Sequence, residues 1–315
     1  MTITNGTLKP PETNADEPIA AKRTGTAGVG FGRWWWALPA VALTLVVTYL
    51  TTAVGAFYAF TDWTGLGDFN FVGFDNFIHV FRDQALLGSV RNTLLLAAGF
   101  VVFTNLLGLS FALALNRTLK CRYFLRALIF MPVVLSSVAV SFIWKFIFAY
   151  DGPLNQFLNS MGLGSLKQDW LANPALALWC ILAVMVWRSI GFVMVIYLAG
   201  LATVPVELEE AAALDGAGIW QTFRNITLPT IQPSVTIATV LTLIQGLTVF
   251  DEVLTLTGGG PGDATQTLAT QVYSQTFIYG GFGLGAAAAL VLTVFILILA
   301  LIQQFVARDR AVRED

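Results

Sequence analysis

The chain has 315 residues, 56% of them hydrophobic and only 11% charged, with a net charge of −2 and a mean hydropathy of +0.73. An average soluble domain carries about 25% charged residues, so this composition leaves too little polar surface to cover a water-soluble core. Near-neutral charge removes the case for nucleic-acid binding, and two cysteines with a single histidine supply no metal or thiol-nucleophile pattern.

In chain order, residues 1–30 mix Thr, Pro, Glu, Asn and Gly with almost no apolar mass and are expected to be a disordered tail. Gly28, Gly30 and Gly32 follow no strand and read as a flexible linker. Spanning a bilayer takes about 20 apolar residues in a helix, because every backbone polar group must be satisfied internally. Six segments qualify: 34–60, 90–115, 124–148, 175–200, 233–256 and 282–306. The first opens on Trp34, Trp35 and Trp36 and closes near Tyr58 and Trp63, as aromatic belts at two interfaces would. His79 falls outside the spans, in a stretch expected to be irregular.

Lys9, Lys22, Arg23, Arg33, Arg117, Lys120, Arg122, Arg126, Arg224, Arg308, Arg310 and Arg313 flank one side of these spans. Only Arg82, Arg91, Lys145 and Lys167 flank the other. The excess sets the cytoplasmic side, so the expected architecture is an all-α integral membrane protein with six transmembrane helices, N-in and C-in. The membrane domain covers 31–308, and 309–315 form a short cytoplasmic tail.

The loop 205–229 is a polar island between the fourth and fifth spans. Pro205 is suited to start a helix, since its missing N–H is unused in a first turn. Glu207, Glu209 and Glu210 follow where the helix dipole favours negative charge, and Gly216 suits a left-handed stop. A second short helix is expected over 217–225, with Ile219, Trp220 and Phe223 as its apolar face. No G-x-x-x-x-G-K-[ST] phosphate loop occurs in the chain, so it is not expected to be an enzyme or to bind ATP itself.

Glu210-Ala211-Ala212, then Asp215-Gly216, nine intervening positions and Ile226-x-Leu228-Pro229 resemble the coupling-loop signature of permease subunits of binding-protein-dependent ATP-binding-cassette (ABC) importers. The resemblance extends over most of the chain beyond the tail. It implies a type I importer permease fold in a bacterial cytoplasmic membrane. The partners implied are a second, homologous permease in a heterodimer, two copies of a cytoplasmic subunit that binds ATP and Mg, and an extracytoplasmic solute-binding protein. By the matched motif, Glu210, Ala211, Ala212, Asp215 and Gly216 dock the ATPase, with Ile226, Leu228 and Pro229 as anchors. Thr257-Gly258-Gly259-Gly260-Pro261-Gly262-Asp263-Ala264-Thr265 and Asn70-Phe71-Val72-Gly73-Phe74-Asp75-Asn76-Phe77 look like the carbohydrate-uptake group of these permeases, which implies a sugar substrate. Gly258, Gly259, Gly260 and Pro261 then mark a contact for the binding protein.

Polar residues inside apolar spans are costly and face a cavity or one another. Asn105, Trp187, Arg188, Ser189, Thr242 and Gln245 are such residues, and Trp187 with Gln245 would supply an aromatic face and a planar polar group for a sugar. The maltose-type resemblance places ligand contacts at Thr242, Gln245, Gly246 and Val249. Arg188 reads as an ion-pair residue, and Asp251 and Glu252 as an external gate. Two alternatives stand beside the sugar importer: a permease of this family for a glycerol phosphoester or polyamine, and an ion-driven secondary transporter. The carboxylates gather in loops and at helix ends, against the mid-membrane acids expected of the latter.

Overall fold

In a computed structural model, residues 36–116 and 120–312 are described, without side chains at 304 and 306–312. The expected tail, Trp34, Trp35, Arg33, Arg117 and Arg313 lie outside the described residues. Two compact units are present, Met1–Thr52 and Ala53–Asp315. Among the described residues the structure is helical, and the only β pairing is a single antiparallel bridge, Thr61 to Phe71.

Helix α1 runs Leu38–Tyr58, with a π-helical stretch at Leu45–Leu50. Then follow α2 Asp75–Arg82, α3 Gln84–Asn116, α4 Arg122–Val134, α5 Ser137–Ile147, α6 Pro153–Ser160 and α7 Ala177–Leu201. The loop carries α8 Val206–Leu214 and α9 Ile219–Thr230, and α10 Gln232–Leu247, α11 Asp251–Leu256, α12 Leu268–Tyr273 and α13 Phe282–Val312 complete the chain. Four helices, α1, α3, α7 and α13, are long and apolar enough to cross a membrane, and up to six crossings result if two bent pairs each count as one.

The first of those bent pairs interrupts an expected span, and the second lies where the polar loop enters one. Within 124–148, α4 and α5 meet at 98°. Pro132 lies inside α4, where it lacks an N–H and crowds the preceding turn; Leu135 and Ser136 then adopt extended backbone before α5 begins. Between α9 and α10 the bend is 71°. Segment 233–256 is also two helices, because α10 stops at Leu247 and α11 starts afresh at Asp251. Helix α3 begins six residues before the expected 90, giving 33 residues. The stretch around His79 is helical rather than irregular: Phe74, Phe77, Ile78 and Phe81 fall at helical spacing, the pattern of an amphipathic helix.

Helices α3, α7 and α10 form the centre. They approach closely where side chains are small, the usual means of helix packing without a hydrophobic driving force: a Cβ on Gly108 of α3 would meet Val193 of α7 at 2.7 Å. A hydrogen-bonded chain ties the three together. Tyr197 Oη donates to Asn105 Oδ1 at 2.8 Å, and Asn105 Nδ2 donates to Thr242 Oγ1 at 2.9 Å. Around it pack Ala112, Val193, Met194, Leu201, Ile231 and Ala238. A second cluster joins α2 and the chain before it to α13, with Ala59, Val80, Leu86, Ala287 and Ala288 buried. The Asn70–Phe77 segment is pinned there: Asn76 Nδ2 donates to the Ala59 and Thr61 carbonyls at 2.9 and 2.8 Å, and Asp62 accepts from the Asn70 backbone and side chain.

Candidate functional site

The polar loop forms as two short helices. Pro205 caps α8 with extended backbone, and Glu207 and Glu209 occupy the first turn. Helix α8 ends in a Schellman arrangement: the Gly216 N–H donates to the Ala213 carbonyl at 3.1 Å and the Ala217 N–H to the Ala212 carbonyl at 2.9 Å. Gly216 has φ +78°, a conformation that side chains resist. Glu210, Ala211 and Asp215 are exposed, Ala212 is half-buried, and no residue of α8 is buried. Among the described residues no ion pair involves Glu210 or Asp215. Helix α9 starts at Ile219, two residues later than expected, and extends to Thr230 through a π-helical stretch.

Ile219 and Trp220 are 80% and 70% exposed, whereas Phe223, the third residue of the expected apolar face, is half-buried and packs on Trp220 at 5.6 Å. The three expected anchors differ. Leu228 packs on the central cluster, Ile226 is half-buried and Pro229 is exposed. Thr227, absent from the sequence reading, is buried and bonds Glu209 Oε1 at 3.4 Å, linking α9 to α8.

A cavity of about 270 Å³ opens where α10 breaks. Ser189 and Arg188 of α7, Gln245 of α10, Val249 in the break and Asp251 and Glu252 of α11 all line it. Phe100, Met185, Thr248 and Phe250 complete the wall; none of these four was singled out from the sequence, where each is indistinguishable from an ordinary apolar or span-end residue. Arg188 Nη2 pairs with Glu252 Oε1 at 3.2 Å, an ion pair with Glu252 only 8% exposed. Arg188 Nε is buried without a hydrogen-bond partner. Asp251 accepts from Ser137 Oγ of α5 at 2.5 Å, and both carboxylates sit in the first turn of α11, at the positive end of its dipole.

Three expected path residues lie elsewhere. Thr242 is fully buried in the chain from Tyr197 through Asn105 and has no free surface. Gly246 is buried against Ala97, where a Cβ would meet the Ala97 Cα at 2.7 Å. Trp187 is 40% exposed and packs edge-on against Trp144 at 5.5 Å rather than lining the cavity. Helical periodicity explains the separation: Trp187 is a neighbour of Arg188 in sequence but points about 100° away around α7.

The glycine loop is a built structure. Gly258 and Gly259 have φ +63° and +91°, and the Gln266 side chain occupies the space a Cβ on Gly259 would need. Thr265 Oγ1 donates to the Gly260 carbonyl at 2.8 Å, while Gly260 and Pro261 remain half-buried. Asn92 of α3, also missed in the sequence, points its amide at the carbonyls of Asp263, Ala264 and Gln266 at 3.4, 3.1 and 3.0 Å. Thr93 beside it accepts from the Leu268 N–H at 2.9 Å.

Apolar helices enclosing a polar cavity, with a helical polar loop projecting from the far end of the same two helices, define a polytopic membrane permease. The model of the family described as binding-protein-dependent transport system inner membrane component matches residues 104–312. The chain belongs to this family and is a multi-pass inner-membrane protein. It is 32% identical over 283 residues to the probable starch degradation products transport system permease protein of Thermoanaerobacterium thermosulfurigenes, covering 89% of this chain and 96% of that one. It is 36% identical over 273 residues to the multiple sugar-binding transport system permease protein of Streptococcus mutans, covering 86% and 93%. Its fold matches a chain in the crystal structure of a bacterial alginate ABC transporter in complex with alginate pentasaccharide-bound periplasmic protein, with a TM-score of 0.78, 24% identity and coverage of 88% and 94%.

Proposed function

We propose that the chain is a transmembrane permease subunit of an ATP-driven importer that carries a sugar, an oligosaccharide or sugar derivative, across the cytoplasmic membrane. It crosses six times with both termini inside, as half of a heterodimer with a second, homologous permease. Two copies of a cytoplasmic subunit bind ATP and Mg, and an extracytoplasmic binding protein delivers the solute. The observation that carries this reading is α8: a helix without a buried residue, with Glu210, Ala211 and Ala212 at its centre and Asp215-Gly216 at its end. A helix that buries no residue contributes little to the core of its own chain, so a surface of another protein is its natural complement. Its small side chains let that surface approach, and Leu228 ties the loop to the membrane helices. Closure of the ATPase pair moves this loop and switches the cavity between two arrangements, the bistable element such coupling requires. The sugar-permease relatives support the substrate class.

Substrate passes along Ser189, Gln245 and Val249, and Asp251 and Glu252 stand at its external end beside the loop Gly258–Pro261 that faces the binding protein. Trp187, Thr242 and Gly246 serve helix packing. The test is ATPase activity of the reconstituted complex with its binding protein and a sugar panel, run beside Glu210→Lys. Stimulation by one sugar class that falls at least about tenfold in the variant is expected. Transport by this chain without an ATPase partner overturns the reading.

A further inference from the structure

The cavity wall holds one guanidinium against two carboxylates. Arg188 is already engaged by Glu252 at 3.2 Å, and among the described residues no second cation lines the space. Lys145 of α5 donates to the Thr255 carbonyl at 3.2 Å and is not part of the wall. The remaining polar lining is neutral. Ser189 and Gln245 line it with a hydroxyl and an amide, and Phe100 and Phe250 supply apolar faces. Neutral donors and acceptors over aromatic faces suit hydroxyl groups and C–H surfaces.

Resting on the sugar reading, we propose that this cavity discriminates by charge: it admits neutral and amino sugars and rejects those bearing carboxylates or phosphates, with Asp251 and Glu252 as the specificity-determining residues. An anionic sugar entering here meets the Asp251 carboxylate with no free cation to offset it, and like charges in a partly desolvated site are strongly unfavourable. Arg188 sets how strong that rejection is, because its pairing with Glu252 leaves the wall one carboxylate in excess rather than two. The solute class is therefore chemically distinct from the acidic polysaccharide handled by the fold neighbour.

Saturation-transfer difference NMR on the detergent-solubilised complex of both permeases and the ATPase subunits, without binding protein, reads this directly. Three probes of one size are compared: maltotriose, trigalacturonate and chitosan trimer. Wild type is expected to give signal from maltotriose and chitosan trimer and on the order of tenfold less from trigalacturonate. Asp251→Asn with Glu252→Gln keeps the side-chain size and one acceptor oxygen on each residue and removes both charges, so trigalacturonate gains signal and chitosan trimer loses it. Arg188→Gln moves trigalacturonate the opposite way, and a maltotriose signal retained in both variants guards against misfolding. Equal trigalacturonate and maltotriose signals in wild type, or no change in the amide variant, overturn the charge filter and leave the importer standing. Silence from all three probes also overturns it; only if no sugar stimulates the ATPase in the presence of binding protein does the sugar reading fall with it.

Discussion

Gly259 and Asn92 show how single residues decide the loop after α11. At φ +91°, with Gln266 where a Cβ would go, Gly259 tolerates no side chain. Gly259→Ala is expected to destabilise the chain by about 1–3 kcal/mol, read as a lowered thermal midpoint of the purified complex. Asn92→Ala removes the one amide that faces three loop carbonyls, and leaving buried acceptors unpaired costs about 1–3 kcal/mol. Limited proteolysis between residues 257 and 267 is the sensitive measure, with faster cleavage expected in the variant. A glycine run announces a turn, and the sequence reading identified the loop from it. It held no sign that Asn92, more than 160 residues earlier, would be the clamp, because a lone Asn at a span end looks like any interfacial polar residue.

Two kinds of break organise the elements. The bend between α4 and α5 has a local cause in Pro132, visible in the sequence yet overridden there by the length of the apolar run. The break between α10 and α11 has no proline; Thr248, Val249 and Phe250 leave the helix and α11 restarts under Asp251 and Glu252, whose carboxylates are held by Ser137 and Arg188. Its cause is tertiary. The three-helix chain through Thr242 is testable at this scale. Thr242→Val keeps the shape and removes the acceptor for Asn105, so the thermal midpoint should fall by an amount corresponding to roughly 0.6–1.7 kcal/mol; transport by the variant persists if Thr242 packs rather than binds solute. For α8, exposure makes the opposite prediction. Ala211→Trp meets nothing within the chain, so membrane insertion and thermal stability are retained, while ATPase stimulation by the loaded binding protein drops at least about tenfold.

At the scale of the whole molecule, the proposed function makes the chain one wall of a larger device. Its apolar spans are extensively exposed: Val102, Phe103 and Leu106 on α3, Phe142 and Phe146 on α5, and Leu297 and Ile302 on α13 all lie more than a third open, surface that lipid or another subunit must cover. The cavity is lined from α3, α7, α10 and α11 and remains open to one side. Both features are open to cover by the second permease of the proposed importer. Purified alone in proteoliposomes, the chain is expected to hydrolyse no ATP and move no sugar, and activity is expected to appear when the second permease and the ATPase subunits are added together.

The residue order alone was enough for the membrane class, the approximate positions of the apolar segments, the two-helix polar loop with its glycine stop, and the ion-pair character of Arg188. These follow from composition, run length and local backbone preference, which act over neighbouring residues. Which polar residues share a space was settled only in three dimensions. Thr242 and Gln245 stand three residues apart on α10, yet one is sealed by Asn105 and the other faces the cavity. Arg188 meets Glu252 and not Asp251, and Asp251 meets Ser137, because the break after Leu247 re-aims α11 toward α5 and α7. Helical rotation of about 100° per residue and the contacts that stop α10 determine those partners, and both depend on packing between segments far apart in sequence.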